Sequence, residues 1–364
     1  MPVKPLPANP SLDHLKHQAK DLLKAHALRS PEAAQRIREF HPRFSKATDA
    51  EIFTARLGLA GAQLTIARER GFPSWPRLKA RIEKPATSDN LDLPYRERIT
   101  DARFQHAVDL LDTGDVDGLR AHLRRHPDVV RRHVVFEGGN YFQKPTLLEF
   151  IAENPTRRGS LPRNIVEVAR VILETGVKRS ALDETLILVS SSRVARECGV
   201  QVLLINLLCD YGADPNCAKR TAAIYAEFDA VNALILAGAR VDLPIAAALA
   251  RIEDVRLLLP SSNSEERHWA LALASQLGQV EIVRILLDAG EDPNRYNPVG
   301  GHSHSTPLHQ AAAAGNAELV RLLVERGARL DWKDTMWQAT PDEWARHEGK
   351  TEVEAYLREH NEKR

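Results

Sequence analysis

Three histidines near the C-terminal end are the residues best placed for chemistry in this sequence. They form the pattern His302-x-His304-x4-His309, and an acidic pair, Glu291 and Asp292, precedes them. Imidazole and carboxylate groups at such spacing are able to hold zinc or another divalent ion with an open coordination position. Because loop histidines are usually solvated, we expect no cofactor, and a metal ion bound by His302, His304 and His309 is the alternative.

The segment that contains these histidines is longer than its counterpart further along the chain. Asn294 to Thr306 spans twelve positions, whereas Asp331 to Thr340 spans nine. The longer segment is rich in polar and aromatic side chains, and its pair Gly300–Gly301 would let the backbone approach a ligand closely. We therefore predict that it contacts a ligand or partner. The candidate contact residues are Tyr296, Asn297, His302, His304 and His309.

A second group of candidates lies in the first half of the chain. Glu149 and Glu153 are four residues apart, which places them on one face of a predicted helix. In a recessed site, such a pair would raise the pKa of one carboxyl group, which would then serve as a general base or orient a cation. The aromatic, glycine-rich segment 136–142, with Tyr141, would close over a small molecule. The alternative is a surface hairpin with a solvated acidic face.

These patterns leave the question of catalysis open. The candidate catalytic residues are Glu149, Glu153, His302 and His304, and Tyr141 and Glu149 join the candidate contacts for a ligand or partner. The sequence has no glycine-rich phosphate loop, no Gly-x-Ser-x-Gly motif and no Cys-x-x-Cys pair. Their absence argues against nucleotide hydrolysis, the commonest serine-hydrolase arrangement and a zinc ribbon.

The three cysteines indicate the cellular compartment of the protein more clearly than they indicate a catalytic role. Arginines near Cys198 would lower a thiol pKa, but no histidine lies beside it, so a buried packing role is favoured. Cys209 falls on the apolar side of a predicted helix and is expected in the core, and Cys217 follows the same pattern. A sparse, odd set of cysteines is typical of a reducing compartment. With no signal-peptide pattern and no membrane-spanning run, we expect a cytoplasmic protein without a membrane partner.

Composition indicates an ordinary globular protein with one basic block. Of the 364 residues, 43% are hydrophobic and 27% charged, with a formal net charge of +1; disordered, collagen-like and membrane classes are excluded. Residues 1–84 nevertheless hold 16 Lys and Arg against 8 Asp and Glu. Nucleic-acid binding, with Phe72 and Trp75 stacking on bases, is therefore a further alternative. The basic residues concerned are Arg36, Arg38, Arg43, Lys46, Arg68, Arg70, Arg77, Lys79 and Arg81.

Helical patterning and turn-forming residues divide the chain into domains. In residues 1–84, apolar residues recur every three to four positions behind capping residues, which predicts a bundle of four or five helices. A polar, turn-prone stretch follows. We assign 85–97 to a linker, 98–358 to a second domain and 359–364 to a polar tail.

The second domain is built from a repeated phrase. Two short helical patterns are followed by a loop glycine, at Gly176, Gly212, Gly238, Gly290 and Gly327. Periods near 33 residues indicate a solenoid of helix pairs. In the most regular copy, Thr306-Pro-Leu-His-Gln-Ala-Ala-Ala-Ala-Gly315, Thr306 caps a helix and proline takes its first position. Segments 146–152 and 165–174 are predicted as the two helices of an early copy.

This phrase closely resembles the consensus of the ankyrin repeat family. The resemblance implies an all-α fold, a solenoid of about six to eight helix pairs preceded by a small helical bundle. It also implies a structural, hydrogen-bonding His309 and a recognition scaffold that binds a protein partner through loops and concave face. A phrase at 67–75 resembles one in bacterial ankyrin proteins with an N-terminal helical segment. We predict protein binding; the first alternative is small-molecule binding or a hydrolytic or metal-dependent enzyme, with its site around the loop 295–309 and the concave face.

Overall fold

The computed structural model describes residues 12–83, 93–136 and 141–362. They fall into two compact units, which divide between Asp92 and Leu93. The described residues form helices and contain no β-strand, which confirms the predicted all-α class. None of these helices is both long enough and apolar enough to cross a lipid bilayer. Most of the predicted linker, the loop tip 137–140 and the last two residues of the predicted tail lie outside the described residues.

Residues 12–83 form five α-helices. Local sequence sets their starts: Ser30 caps α2 ahead of Pro31, and Thr48 forms a capping box with Glu51 on α3. The helices are α1 (Leu12–Ala27), α2 (Pro31–Phe40), α3 (Asp49–Thr54), α4 (Leu59–Glu69) and α5 (Trp75–Glu83). Their apolar sides share one core, which includes Leu15, Leu22, Ile37, Ile52, Ile66 and Leu78.

The second unit is formed by sixteen further α-helices in its described residues. These are α6 (Ala102–Thr113), α7 (Val116–Arg125), α8 (Ile165–Glu174), α9 (Arg179–Ser190), α10 (Arg193–Glu197), α11 (Gln201–Asp210), α12 (Pro215–Ile224), α13 (Phe228–Leu236), α14 (Leu243–Ala248), α15 (Ile252–Leu258), α16 (Ser264–Gln276), α17 (Val280–Asp288), α18 (Pro307–Ala314), α19 (Ala317–Glu325), α20 (Pro341–His347) and α21 (Thr351–Glu362).

Consecutive pairs stack so that like helices meet. The first helix of each pair contacts the first helix of the next pair. We term this row of helices the first-helix rank; it consists of α9, α12, α14, α16, α18 and α20. The second helices also meet, in the runs α8–α11–α13 and α15–α17–α19–α21. Apolar side chains between neighbouring pairs build a core along the stack. The predicted solenoid of helix pairs is confirmed.

One predicted α-helix is a shorter element in the structure. Residues 146–152 contain only a 3-10 helix, Leu148–Ala152. It ends at Glu153, whose φ of +48° is left-handed. Asn154 and Pro155 follow, and a residue before proline is disfavoured in the α region. The proline therefore prevents this first helix from extending, whereas the second helix of the pair forms as predicted.

Candidate functional site

A cavity of about 780 Å³ lies at the C-terminal end of the first-helix rank, and we term it the C-terminal cavity. It is formed by α18, α20 and the loop that precedes each of them. Its lining includes His302, His304, Gln310, Trp337, Glu343 and Trp344.

The two helices of the cavity begin with the same local chemistry. The Thr306 N–H donates to His309 Nδ1 over 3.3 Å, and the Thr340 N–H donates to Glu343 Oε2 over 2.9 Å. Each threonine is followed by proline, whose missing N–H leaves nothing unsatisfied at the first helical position. These contacts determine where α18 and α20 start and so hold Trp344 at the cavity wall.

Aromatic rings form one wall of the C-terminal cavity. Ring centroids are 5.3 Å apart for His304 and Trp337, 5.7 Å for His304 and Trp344, and 5.8 Å for Trp337 and Trp344. At these distances aromatic rings attract one another. Trp337 nevertheless stays 63% exposed. The wall is thus ordered by its own contacts while it presents a large aromatic surface to solvent.

A buried carboxylate supports this wall from behind. Asp334 accepts hydrogen bonds from the Trp337 N–H over 2.6 Å, the Ala339 N–H over 3.0 Å and the Trp344 indole N–H over 3.0 Å. Burial opposes ionisation, but these hydrogen bonds outweigh it and lower the pKa of Asp334 to about 2. The group is therefore a carboxylate at neutral pH.

The loop residues at the cavity mouth adopt an uncommon backbone conformation. His302 has a φ of +59° and Gln338 a φ of +58°, which costs a non-glycine residue roughly 1–2 kcal/mol. A hydrogen bond from the Thr335 N–H to the His304 carbonyl, 2.9 Å long, joins the two loops. Burial, and then the neighbouring His304, lower the pKa of His302. Its imidazole is therefore neutral at pH 7.

His309 has no free nitrogen for a ligand. Its Nδ1 lies 2.8 Å from the Thr306 hydroxyl, and its Nε2 lies 3.1 Å from the Ala339 carbonyl oxygen. The side chain is fully buried, and burial lowers its pKa. His309 links neighbouring pairs as a structural residue, as the family resemblance implied, and the predictions that it contacts a ligand or a metal are corrected.

The other candidates of this segment differ in their accessibility. Asn297 is buried, and its side-chain N–H donates to Ser305 Oγ over 3.4 Å, so its predicted contact with a partner is corrected. Tyr296 stacks on Trp332 with ring centroids 5.3 Å apart, and its hydroxyl donates to the Lys333 carbonyl. Neither residue lines the C-terminal cavity; only His302 and His304 of the five candidates do.

The glycine pair of this segment meets a side chain of the same protein. A Cβ added to Gly301 would lie 2.5 Å from Trp269 Cζ3, and Gly300 has a φ of +91°. Close approach to an indole ring therefore requires glycine at position 301. The pair packs the segment onto α16, and it does so in place of the predicted approach to a ligand.

Glu149 and Glu153 are both buried and bound within the chain. Glu149 Oε1 accepts from the Thr146 N–H over 2.7 Å; burial raises its pKa, against the effect of that hydrogen bond. Glu153 accepts the backbone N–H groups of residues 157–159 and pairs with Arg157 at 2.6 Å. Arg157 also binds Asp112 at 2.9 Å. The two glutamates therefore do not share an open face, and the predicted general base is corrected.

A buried phenylalanine holds the loop around Tyr141 on each side of the segment that the structure does not describe. Phe136 and Phe142 are buried, with stacked rings 5.8 Å apart. Tyr141 itself is exposed, and its hydroxyl donates to Asn154 Oδ1. It remains available as a contact residue.

Within the described residues, no group of three or more His, Cys, Asp or Glu side chains has an arrangement that could hold a metal ion. His302 and His304 are neighbours, with ring centroids 5.9 Å apart, but Glu291 lies near Arg295 instead, at 4.0 Å. The alternative of a metal site at His302, His304 and His309 is not supported.

The cysteines depart from the predicted burial. Cys198 is exposed, at the C-terminal end of α10, whereas Cys209 and Cys217 are half-buried. Burial raises the pKa of Cys209 to about 11 and that of Cys217 to about 12. These two thiols are therefore protonated and unreactive at neutral pH. The packing role predicted for Cys198 is wrong because Cys198 is the C-cap residue of the short helix α10 and is exposed, whereas Val194 and Ala195 are the buried residues of that helix.

Part of the positive charge of the N-terminal unit is already paired. Arg36 binds Glu69 at 2.6 Å, and Arg38 binds Asp49. Phe72 and Trp75 pack against the core of the bundle, which is the structural alternative to stacking on bases. The side chain of Arg81 lies outside the described residues. No feature of the residues described in this unit favours nucleic-acid binding over a solvated basic surface.

Sequence reasoning missed the residues that form the cavity wall. Trp337, Trp344 and Asp334 were not among the candidates. A compositional signal was present, since three of the five tryptophans of the chain fall within residues 332–344.

Comparison with known proteins identifies the repeats. A family model of ankyrin repeats, in three copies, matches residues 243–335. Ankyrin repeat and SAM domain-containing protein 6 of Mus musculus is 32% identical over 106 residues, which are 29% of this chain and 12% of that protein. Cyclin-dependent kinase inhibitor 2A of Monodelphis domestica is 36% identical over 118 residues, 31% of this chain and 67% of that protein.

Cyclin-dependent kinase 4 inhibitor B of Bos taurus is 32% identical over 125 residues, which are 33% of this chain and 92% of that protein. These relatives are mammalian, and the resemblance to a bacterial group stays a prediction. Repeat phrase, stacked helix pairs and matched relatives agree, and the chain belongs to the ankyrin repeat family.

Proposed function

We propose that this protein is a recognition scaffold that binds a protein partner through its first-helix rank and the adjoining loops. The observation that carries the proposal is the C-terminal cavity, an open site whose walls are first helices and loops and whose exposed Trp337 has no covering element among the described residues. Large exposed aromatic residues are enriched where proteins bind partners.

Family membership supports the same function. Two of the matched relatives are named as inhibitors of cyclin-dependent kinases, and an inhibitor of a kinase acts on a protein. A stack of rigid repeats loses little conformational entropy on binding, so contacts made by its surface translate into affinity. The unpaired thiols support a cytoplasmic location.

The test is selection of displayed random peptides on the intact, immobilised chain. Selected peptides are then measured against Trp337→Ala and Tyr225→Ala, which alter exposed residues on the first-helix side, and against Leu257→Ala, an exposed residue of α15 on the other rank. We expect affinity to fall in the first two variants and to persist in the third. The proposal fails if no peptide is enriched, or if binding depends on Leu257 alone.

A further inference from the structure

We propose that the C-terminal cavity binds a cationic side chain of the partner, an arginine guanidinium, by stacking it on indole rings and pairing it with nearby carboxylates. This inference rests on the proposed function and names the chemical group that the same site would take.

The first argument is the aromatic wall. The face of an indole ring is its negative side, and tryptophan is the best of the aromatic residues at attracting a cation. Trp337 offers such a face to solvent, since it is 63% exposed. The chain itself uses this contact elsewhere: Arg220 lies over the Trp269 ring at 5.4 Å, and Arg329 lies over the Trp332 ring at 5.4 Å.

The second argument is the charge behind the wall. Asp334 is fully buried, and the hydrogen bonds described for its carboxylate come only from uncharged N–H groups. These bonds disperse its negative charge without cancelling it. Since the residue has no surface in contact with solvent, the field of its charge is screened less than that of a fully exposed carboxylate. Asp334 accepts the indole N–H of Trp344. This hydrogen bond polarises the indole ring of the wall in the direction that favours a cation.

The third argument is the balance of charge around the cavity. Glu343 and Glu348 line it, against one permanently charged cation, Arg346. Glu343 and Arg346 are 3.6 Å apart, and Glu348 and His347 are 4.0 Å apart. Both distances exceed that of a hydrogen bond, and exposed pairs of this kind contribute little. The Glu348 carboxylate and Glu343 Oε1 are thus open to a better-oriented guanidinium, whereas Glu343 Oε2 accepts the Thr340 N–H.

Two carboxylates line the cavity beside one guanidinium, and the Asp334 carboxylate lies behind its wall; this balance disfavours an anionic occupant. Arginine is favoured over lysine because its planar group stacks on an indole ring while its N–H groups still reach a carboxylate. The cavity, at about 780 Å³, has room for the whole side chain.

The experiment is a titration of the intact chain, by calorimetry at low salt, with three short peptides that differ only in a central Arg, Lys or Gln. We expect saturable binding of the Arg peptide, weaker binding of the Lys peptide and none of the Gln peptide. Trp337→Leu keeps an apolar side chain but removes the ring face, and should lower the affinity for the Arg peptide about 3- to 30-fold. Glu348→Gln should also lower it, and Leu257→Ala should leave it unchanged.

Equal affinity for Arg and Gln peptides, tighter binding of Lys than of Arg, or an unchanged affinity in Trp337→Leu would overturn the inference. So would the absence of saturable Arg binding at millimolar peptide. None of these outcomes would overturn the proposed function, because displayed peptides without any basic residue could still bind in a manner that requires Tyr225 and Trp337. Conversely, a selection that enriches no peptide removes the proposed function whatever the Arg peptide does.

Discussion

Two polar segments of the repeat unit both contain candidate site residues in sequence but use their side chains in opposite ways. The segment 153–159 follows the first helix of an early pair, and its charged groups turn inward, where Glu153, Arg157 and Asp112 bind one another. The segment 302–304 precedes a late first helix, and its histidines line an open cavity beside exposed Trp337.

The difference lies in whether the chain supplies partners of its own. Glu153 finds three backbone N–H groups and a guanidinium within hydrogen-bonding distance. Because it is buried and paired with these groups, it can stabilise the fold but can offer nothing to a ligand. Trp337 contacts His304 and Trp344 and yet stays 63% exposed. A functional site in this protein is therefore a place where side chains stay exposed instead of binding other groups of the chain. A polar composition alone does not indicate such a site.

The largest effect is expected from breaking the inward-facing segment. Arg157→Met removes the cation shared by buried Glu153 and half-buried Asp112, and we expect a loss of about 3–5 kcal/mol in the free energy of unfolding. Urea denaturation measures it. Arg163→Gln, at an exposed position nearby, should change stability little. A double variant with Glu153→Gln should recover part of the loss; equal stability of Arg157→Met and the wild type would contradict the structural role.

The next effect is expected behind the cavity wall. In Asp334→Asn, the amide N–H group faces N–H donors, and we expect a loss of about 2–3 kcal/mol at pH 7. Because the pKa of Asp334 is lowered from 3.8 to about 2, its stabilisation is complete above about pH 4 and is lost as pH falls towards 2.

Urea midpoints of wild type and Asp334→Asn, measured across this pH range, should accordingly converge on acidification. A difference that stays constant from pH 7 to the acid limit would show that the carboxylate charge is not what stabilises the loop.

A smaller effect is expected where the long loop meets α16. In Gly301→Ala, the new Cβ would lie 2.5 Å from the Trp269 ring, and such overpacking costs about 1–3 kcal/mol. Thermal unfolding measures it. Gly58→Ala is the matched control, since nothing lies within 4 Å of its added Cβ. Unchanged stability in both variants would show that the loop is not packed on Trp269.

The smallest effect on stability is expected at the outward-facing segment. Trp337→Leu alters an exposed side chain, so the free energy of unfolding should change by less than about 0.5 kcal/mol, as judged by the urea midpoint. Its effect should appear in peptide binding instead. A large loss of stability in Trp337→Leu would place this residue with the inward-facing class and remove the contrast between the two segments.

The sequence by itself determined the repeat, its period and most helix starts. These depend on neighbours in the chain: Thr306 caps α18 through a residue three positions away, and a proline limits the helix before Glu153. The resemblance to ankyrin repeats also gave His309 its structural role before its contacts were known.

Only the tertiary structure decided which polar groups are bound within the chain and which face solvent. Asp112 reaches Arg157 across 45 positions of the chain, and His309 reaches Ala339 across 30. Such contacts depend on how successive pairs stack, which local spacing does not encode. For the same physical reason, the exposure of Cys198, the burial of Glu149 and the aromatic wall around Trp337 became apparent only in three dimensions.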